Sequence, residues 1–164
     1  MKFDHYLNRA LGSKEFKKFQ KANEKAYLCA GFFVLDFESG KDMHQIDFYI
    51  PANKKIATFN LQEGVQCKVT DGTVKKKPKV LEGDIKTDLE QLKGIVTDVM
   101  HNHNVTQEVK KIIAVIQNIE GKNTWVLNCI TDGLGLVKVN IDDADESLLK
   151  FEKANLMDFI KRVK

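Results

Sequence analysis

The sequence predicts an α+β protein made of two repeated helix-plus-antiparallel-meander halves, with the helices packed on one face of antiparallel sheet. Three observations support this. Amphipathic helical spacing opens each half, and strand-like patterns follow it. Tight-turn signals separate the strands, Ser39-Gly40 in one half and Glu120-Gly121-Lys122 in the other. The stretch FFVLDFESGKDMHQIDFYIPANKKIATFNL, residues 32–61, also reads as a weaker copy of KKIIAVIQNIEGKNTWVLNCITDGLGLVKV, residues 110–139. The copies align on Val34–Lys41 against Val115–Lys122, with a one-residue slip before the glutamate.

The first half opens on helix. Phe3, Tyr6, Leu7, Ala10 and Leu11 recur at helical spacing, and Gly12-Ser13 breaks the run before a second helix carrying Phe16, Phe19, Ala22 and Ala26. Its other face is lysine-rich, as solvated helix faces are. Residues 26–37 read as a strand with an inner part apolar on both faces, hence central in a sheet. After Ser39-Gly40, His44, Ile46, Phe48 and Ile50 alternate with Met43, Gln45, Asp47 and Tyr49, as in a half-buried antiparallel strand. Pro51-Ala52-Asn53 turns the chain into a third strand, 56–61. Val65, Cys67 and Val69 alternate, and Asp71-Gly72 predicts a hairpin turn with Thr73-Val74 pairing back. Lys75-Lys76-Lys77-Pro78-Lys79 then reads as a flexible basic linker. The expected division is 1–80 and 81–164.

The second half opens on a helix capped by Asp84 or Thr87, with Ile85, Leu89, Leu92, Ile95, Val96, Val99 and Met100 on one face and an end near residues 101–104. Strands are expected over 111–119, around Trp125, and through Val137, Val139 and Ile141, with a hairpin turn at Asp132-Gly133-Leu134-Gly135. Asp142-Asp143-Ala144-Asp145 is a polar turn, 148–151 a fourth strand, and 154–163 a closing amphipathic helix on Leu156, Phe159, Ile160 and Val163.

Composition fits an ordinary folded domain: 164 residues, 43% hydrophobic, 30% charged, net charge +3. That charge is too mild to argue for nucleic acid, and Arg9 and Arg162 are the two arginines of the chain. The N-terminus lacks a secretory-signal pattern, and no run approaches the roughly 20 apolar residues of a membrane span, so the cytoplasm is the expected compartment and no membrane partner is expected. Cys29, Cys67 and Cys129 are widely spaced and odd in number, which argues against a disulfide framework or a zinc site.

Candidate chemistry is sparse. His101 and His103 sit two apart, a spacing that points them away from each other on a helix. The acidic turn lacks the mid-loop glycine of calcium loops. The Gly-rich turn between strands is not a phosphate loop. Glu38 and Glu120 occupy matching turns, where carboxylates more often serve solubility than acid–base work. No catalytic residue, metal ligand or cofactor is expected. The residues nominated for a ligand or partner face are Trp125, Tyr49 and His44, with an aromatic-lined sheet face as the pocket if the helices leave it open.

Residues 84–153 resemble a PepSY-type module. The likeness lies in a helix followed by IIAVIQNIEGKNTWVLNCI and LVKVNIDDADESLLKFE, with Gly121-Lys122, Trp125 and Ile141-Asp142 at the family's turn, aromatic and "ID" positions. Asp145-Glu146-Ser147 stands where that family often has a glycine. The resemblance implies a binding or inhibitory module without shared catalytic residues. A second resemblance, to roadblock or longin-like proteins, implies a dimeric scaffold. The expected function is therefore a non-catalytic protein- or peptide-binding module, possible as a homodimer. The dimeric scaffold and a small-molecule or enzymatic pocket on the sheet face are the alternatives.

Overall fold

The structure, a computed structural model, describes residues 1–155. Two short helices, α1 (Phe3–Leu11) and α2 (Lys14–Ala22), lead the chain. Ser13 has extended backbone and its Oγ accepts from the Phe16 amide at 3.1 Å, which starts α2 where the sequence breaks α1. Four strands follow, β1 (Tyr27–Asp36), β2 (Met43–Ile50), β3 (Lys55–Asn60) and β4 (Gln66–Val69). After a connecting segment come α3 (Leu92–Asn102), β5 (Val109–Ile119), β6 (Lys122–Thr131), β7 (Gly135–Asp142) and β8 (Leu148–Asn155).

All eight strands form one antiparallel sheet in the order β4-β3-β2-β1-β5-β6-β7-β8. The two meanders meet at β1 and β5, where Phe33 stands opposite Ala114. This seam explains why residues 26–37 look central: β1 is paired on both edges. The turn between β5 and β6 is Glu120-Gly121, with φ of 52° and 86°. Positive φ at both central residues is what a two-residue turn needs to match the twist of its strands, and glycine at the second position makes it inexpensive.

Helices α1, α2 and α3 share one face. Phe3 and Tyr6 of α1 pack on Phe33, Phe16 and Phe19 of α2 pack on Phe48 and Phe59, and His103 after α3 stacks on Phe151 of β8. Register puts those strand residues in line with Ile46, Ile112, Ile116, Trp125, Leu127 and Ile141, all fully buried. This is one continuous core running under both meanders. Gly31 sits in it because there is no room for more: a Cβ there would lie 2.6 Å from Phe3 and 2.9 Å from Phe33.

Several expectations need correction. The third helix does not start at Asp84 or Thr87. Asp88 caps a single 3-10 turn, Leu89–Gln91, through a reciprocal box with Gln91, and α3 proper follows. Thr87 cannot cap because its segment is held elsewhere, its amide donating to Asp143. Thr73-Val74 does not pair back on β4; the Val74 amide donates to Lys54 instead. The final strand continues to Asn155, so Ala154 lies in β8 rather than opening a helix. The rest of that expected closing helix, 156–163, lies outside the described residues.

The expected flexible linker is also corrected. Residues 70–88 form a strap along one end of the sheet, fixed strand by strand. The Thr70 and Val74 amides donate to Ile56 and Lys54 at β3 and the turn before it. The Tyr27 hydroxyl donates to the Pro78 carbonyl, and the Leu81 amide to Leu28. Asn118 and Asn123 side chains donate to the Val80 and Glu82 carbonyls. Strapped backbone thus finds partners that a loose basic segment would lack. The lysines of the strap still point outward and are exposed.

Candidate binding face

The face of the sheet opposite the helices is the candidate site. Its residues are the alternates of the core residues, and register fixes their neighbours. Phe32 stands opposite Val115, and Val115 opposite Val126. One step along, Val34 stands opposite Ile113; at the far end Ile130 stands opposite Leu136, itself opposite Ala154. Apart from Leu136, which is buried, these aliphatic and aromatic side chains are all half-exposed. An apolar band therefore crosses β1, β5 and β6 without an element laid over it among the described residues. Contiguous apolar surface of this sort, rimmed by polar groups, marks interaction sites.

The rim is polar on both flanks. Toward β8 it carries Asn128, Lys138, Asn140, Lys150 and Glu152. Toward β4, past Met43 and Ile56, the face carries a polar depression of about 360 Å³ lined by Gln45, Thr58, Asn60, Gln66, Lys68 and Thr70. Asp47 stands beside it, opposite Thr58 and Ala30. Burial pushes its carboxyl above the usual carboxylate range, against hydrogen bonds from Thr58 Oγ1 at 2.9 Å and Gln45 Nε2 at 3.4 Å. These groups can donate and accept hydrogen bonds to a polar ligand edge; they include no nucleophile poised against a base.

The three nominated face residues do not come together. Trp125 is fully buried on the helix side, its ring 6.1 Å from Phe33. It is core, and its indole N–H donates to Asp143 Oδ1 at 2.9 Å. His44 is on the same side as Trp125, stacked on Tyr6 at 4.4 Å. Burial holds its imidazole below the usual value. Tyr49 alone belongs to the opposite face, yet it is buried at the strap end, 5.5 Å from Tyr27. Helices over one face and the strap over one end explain all three corrections. The residues that do form the open face, Phe32, Val34, Ile113, Val115 and Val126, went unnominated. Alternation with the core residues was the signal that could have found them.

Asp143 lies in the expected polar turn, yet it is buried, only 2% exposed. Its carboxylate accepts from the Lys86 amide at 2.7 Å, the Thr87 amide at 3.0 Å and the Trp125 indole. It therefore clamps the strap to the core rather than binding a ligand. A cleft of about 520 Å³ opens beside it, between the strap and the turns before β6 and β8. The Cys29 and Cys129 thiols are both pushed up to about 12 by burial, which leaves them inert at neutral pH. The His103 ring nitrogen Nδ1 lies 2.9 Å from the Val99 carbonyl at the end of α3. Among the described residues no group of His, Cys, Asp or Glu is gathered to hold a metal.

No protein-family model matches the chain, and no curated protein does. A solved structure of a candidate lipoprotein from Clostridium difficile 630 is similar to it, with a TM-score of 0.55 and 10% identity, covering 85% of this chain and 90% of that one. At that identity the likeness shows a shared fold alone. Among the described residues no helix is long and apolar enough to cross a membrane.

Proposed function

We propose that the protein is a non-catalytic binding module that seats another protein on the sheet face that no helix of the described residues covers. One observation supports this above others: Phe32, Val34, Ile113, Val115 and Val126 form a contiguous half-exposed apolar band inside a polar rim. A partner covering the band would bury that area at about 25 cal/mol per Å². The adjoining polar depression at Asp47 supplies hydrogen-bonding groups for orientation.

Two further readings belong to this proposal. We read β1–β4 and β5–β8, each preceded by helix, as two copies of one helix-plus-meander unit, the second being the PepSY-like one. The mirrored strand order about the β1–β5 seam supports that reading. We also keep the cytoplasm as the proposed compartment, since the exposed thiol of Cys67 suits reducing surroundings.

The test is site-specific photo-cross-linking in the source organism, with the photoreactive residue at Val126 on the open face or at Lys18 on the outer surface of α2. Protein adducts from position 126 and none from position 18 are expected. Absence of adducts from position 126 would remove the proposal.

A further inference from the structure

We infer that the occupant of the sheet face opposite α1, α2 and α3 is a second copy of this chain, the two sheets packing face to face. This rests on the binding reading above and names its partner. Aligned sheets pack about 10 Å apart with side chains of both inner faces interleaved, and a two-fold axis then brings the same patch of each copy together.

Area is the first argument. From β3 to β7 the face spans six strands at about 4.8 Å each, and its pairing rows are four deep at about 6.8 Å. The product is about 800 Å² per copy, which is the area each partner gives to a stable interface. The apolar band lies near its middle and the polar residues around it, the layout of an interface core and rim.

Charge is the second. The chain carries a net +3, so two copies repel wherever that excess is displayed. On these rows it is not displayed. The six strands of that area carry Lys111 and Lys138 with Asp36, Asp47 and Asp142, and the flanking β4 and β8 add Lys68, Lys150 and Glu152, so charges of the two signs offset each other. Lys111 and Asp36 are already paired at 3.8 Å within one copy. The lysine-rich outer surface of α2 is on the opposite side of the molecule. A neutral face with an apolar centre suits a like copy. A strongly acidic or basic partner would find no opposite field there.

The experiment is light scattering on the 164-residue chain over a series of micromolar concentrations, together with Phe32→Arg, Val126→Lys and, as control, Lys18→Glu. We expect twice the 18.7 kDa chain mass for the native protein and for Lys18→Glu. We expect the single-chain mass for Phe32→Arg and Val126→Lys, each with an unchanged far-ultraviolet circular dichroism spectrum. Two such variants guard against one failing to fold. A native chain of single mass overturns the inference, and so does a double mass that survives both substitutions. The photo-cross-linking at Val126 separates the two levels: adducts there with a monomeric native chain keep the binding reading and reject the second copy.

Discussion

The two faces of the sheet are made from alternate residues of the same strands, yet one is sealed and the other open. Phe33 is fully buried under α1, whereas its neighbour Phe32 is half-exposed on the far side. Both are phenylalanines in the middle of β1, so side-chain chemistry does not distinguish them. What differs is the cover, three helices against nothing described. Phe33→Ala is expected to cost about 3–5 kcal/mol in chemical denaturation, through lost burial and the cavity left among Phe3, Tyr6 and Trp125. Phe32→Ala, measured at a dilution where the chain is monomeric, is expected to cost about 1 kcal/mol. Equal costs would break the contrast, because they would mean that the open face is covered within one chain.

The sealed face also needs a polar device that the open face does without. Trp125 buries an indole N–H, and Asp143 satisfies it while holding the Lys86 and Thr87 amides of the strap. Asp143→Ala leaves three donors without partners, each worth about 1–3 kcal/mol when buried, so a loss near that of Phe33→Ala is expected. The loss should come with a change in Trp125 fluorescence. An unperturbed fluorescence spectrum would mean that the clamp is not what fixes the indole.

A smaller contrast sits one residue apart. Gly31→Ala places a methyl group 2.6 Å from Phe3 and 3.0 Å from Ile116, and forcing those rings and branches aside is expected to cost about 1–3 kcal/mol. Ala30→Val, on the open face, is expected to stay within about 0.5 kcal/mol. Thermal melts of the two variants side by side would show whether the packing density is as one-sided as the exposures suggest.

Much of this fold could be read from residue order, and the reasons it stopped are physical. Strands β1, β2, β3, β5, β6 and β7 followed from alternation and turn residues, since a buried face imposes period two on whatever the chain supplies. Alternation says which residues share a face; it does not say which face the helices choose. Trp125 was therefore assigned to a ligand face when its bulk had drawn it into the core. The strap escaped because its partners are single groups far away in sequence, the side chains of Tyr27, Asn118, Asn123 and Asp143 and the carbonyls of Leu28, Lys54 and Ile56, and nothing periodic marks them. Proline and lysines within residues 75–79 looked like a linker because local composition cannot register bonds to distant strands. The start of α3 was misplaced for a related reason: Ile85 and Leu89 are both buried, but Ile85 is buried outside any helix or strand.

The finest contrast is electrostatic and sets His44 on the covered face against Asp47 on the open one. Burial opposes charge on both, with opposite consequences for pH. His44 has a folded value below the ordinary 6.5, with Asp42 pulling up and Arg9 and His5 pushing down. Its contribution to stability is present above 6.5 and is lost as pH falls through the folded value. Asp47 has a folded value above the ordinary 3.8, because desolvation outweighs the hydrogen bonds from Thr58 and Gln45. Its contribution is present below 3.8 and is lost as pH rises through the folded value. Asp47→Asn cannot ionise and can still accept from Thr58, so it is expected to be more stable than the native chain at neutral pH. That advantage should shrink to nothing as the pH falls below 3.8. His44→Gln should instead remove the stability lost as pH falls from 6.5 through the folded value of His44. Urea titrations of both variants across this range would read the two slopes separately. If Asp47→Asn were destabilising at neutral pH, the carboxylate would have a charged partner on the open face, and a second copy offering Lys68 or Lys138 would be the first place to look for it.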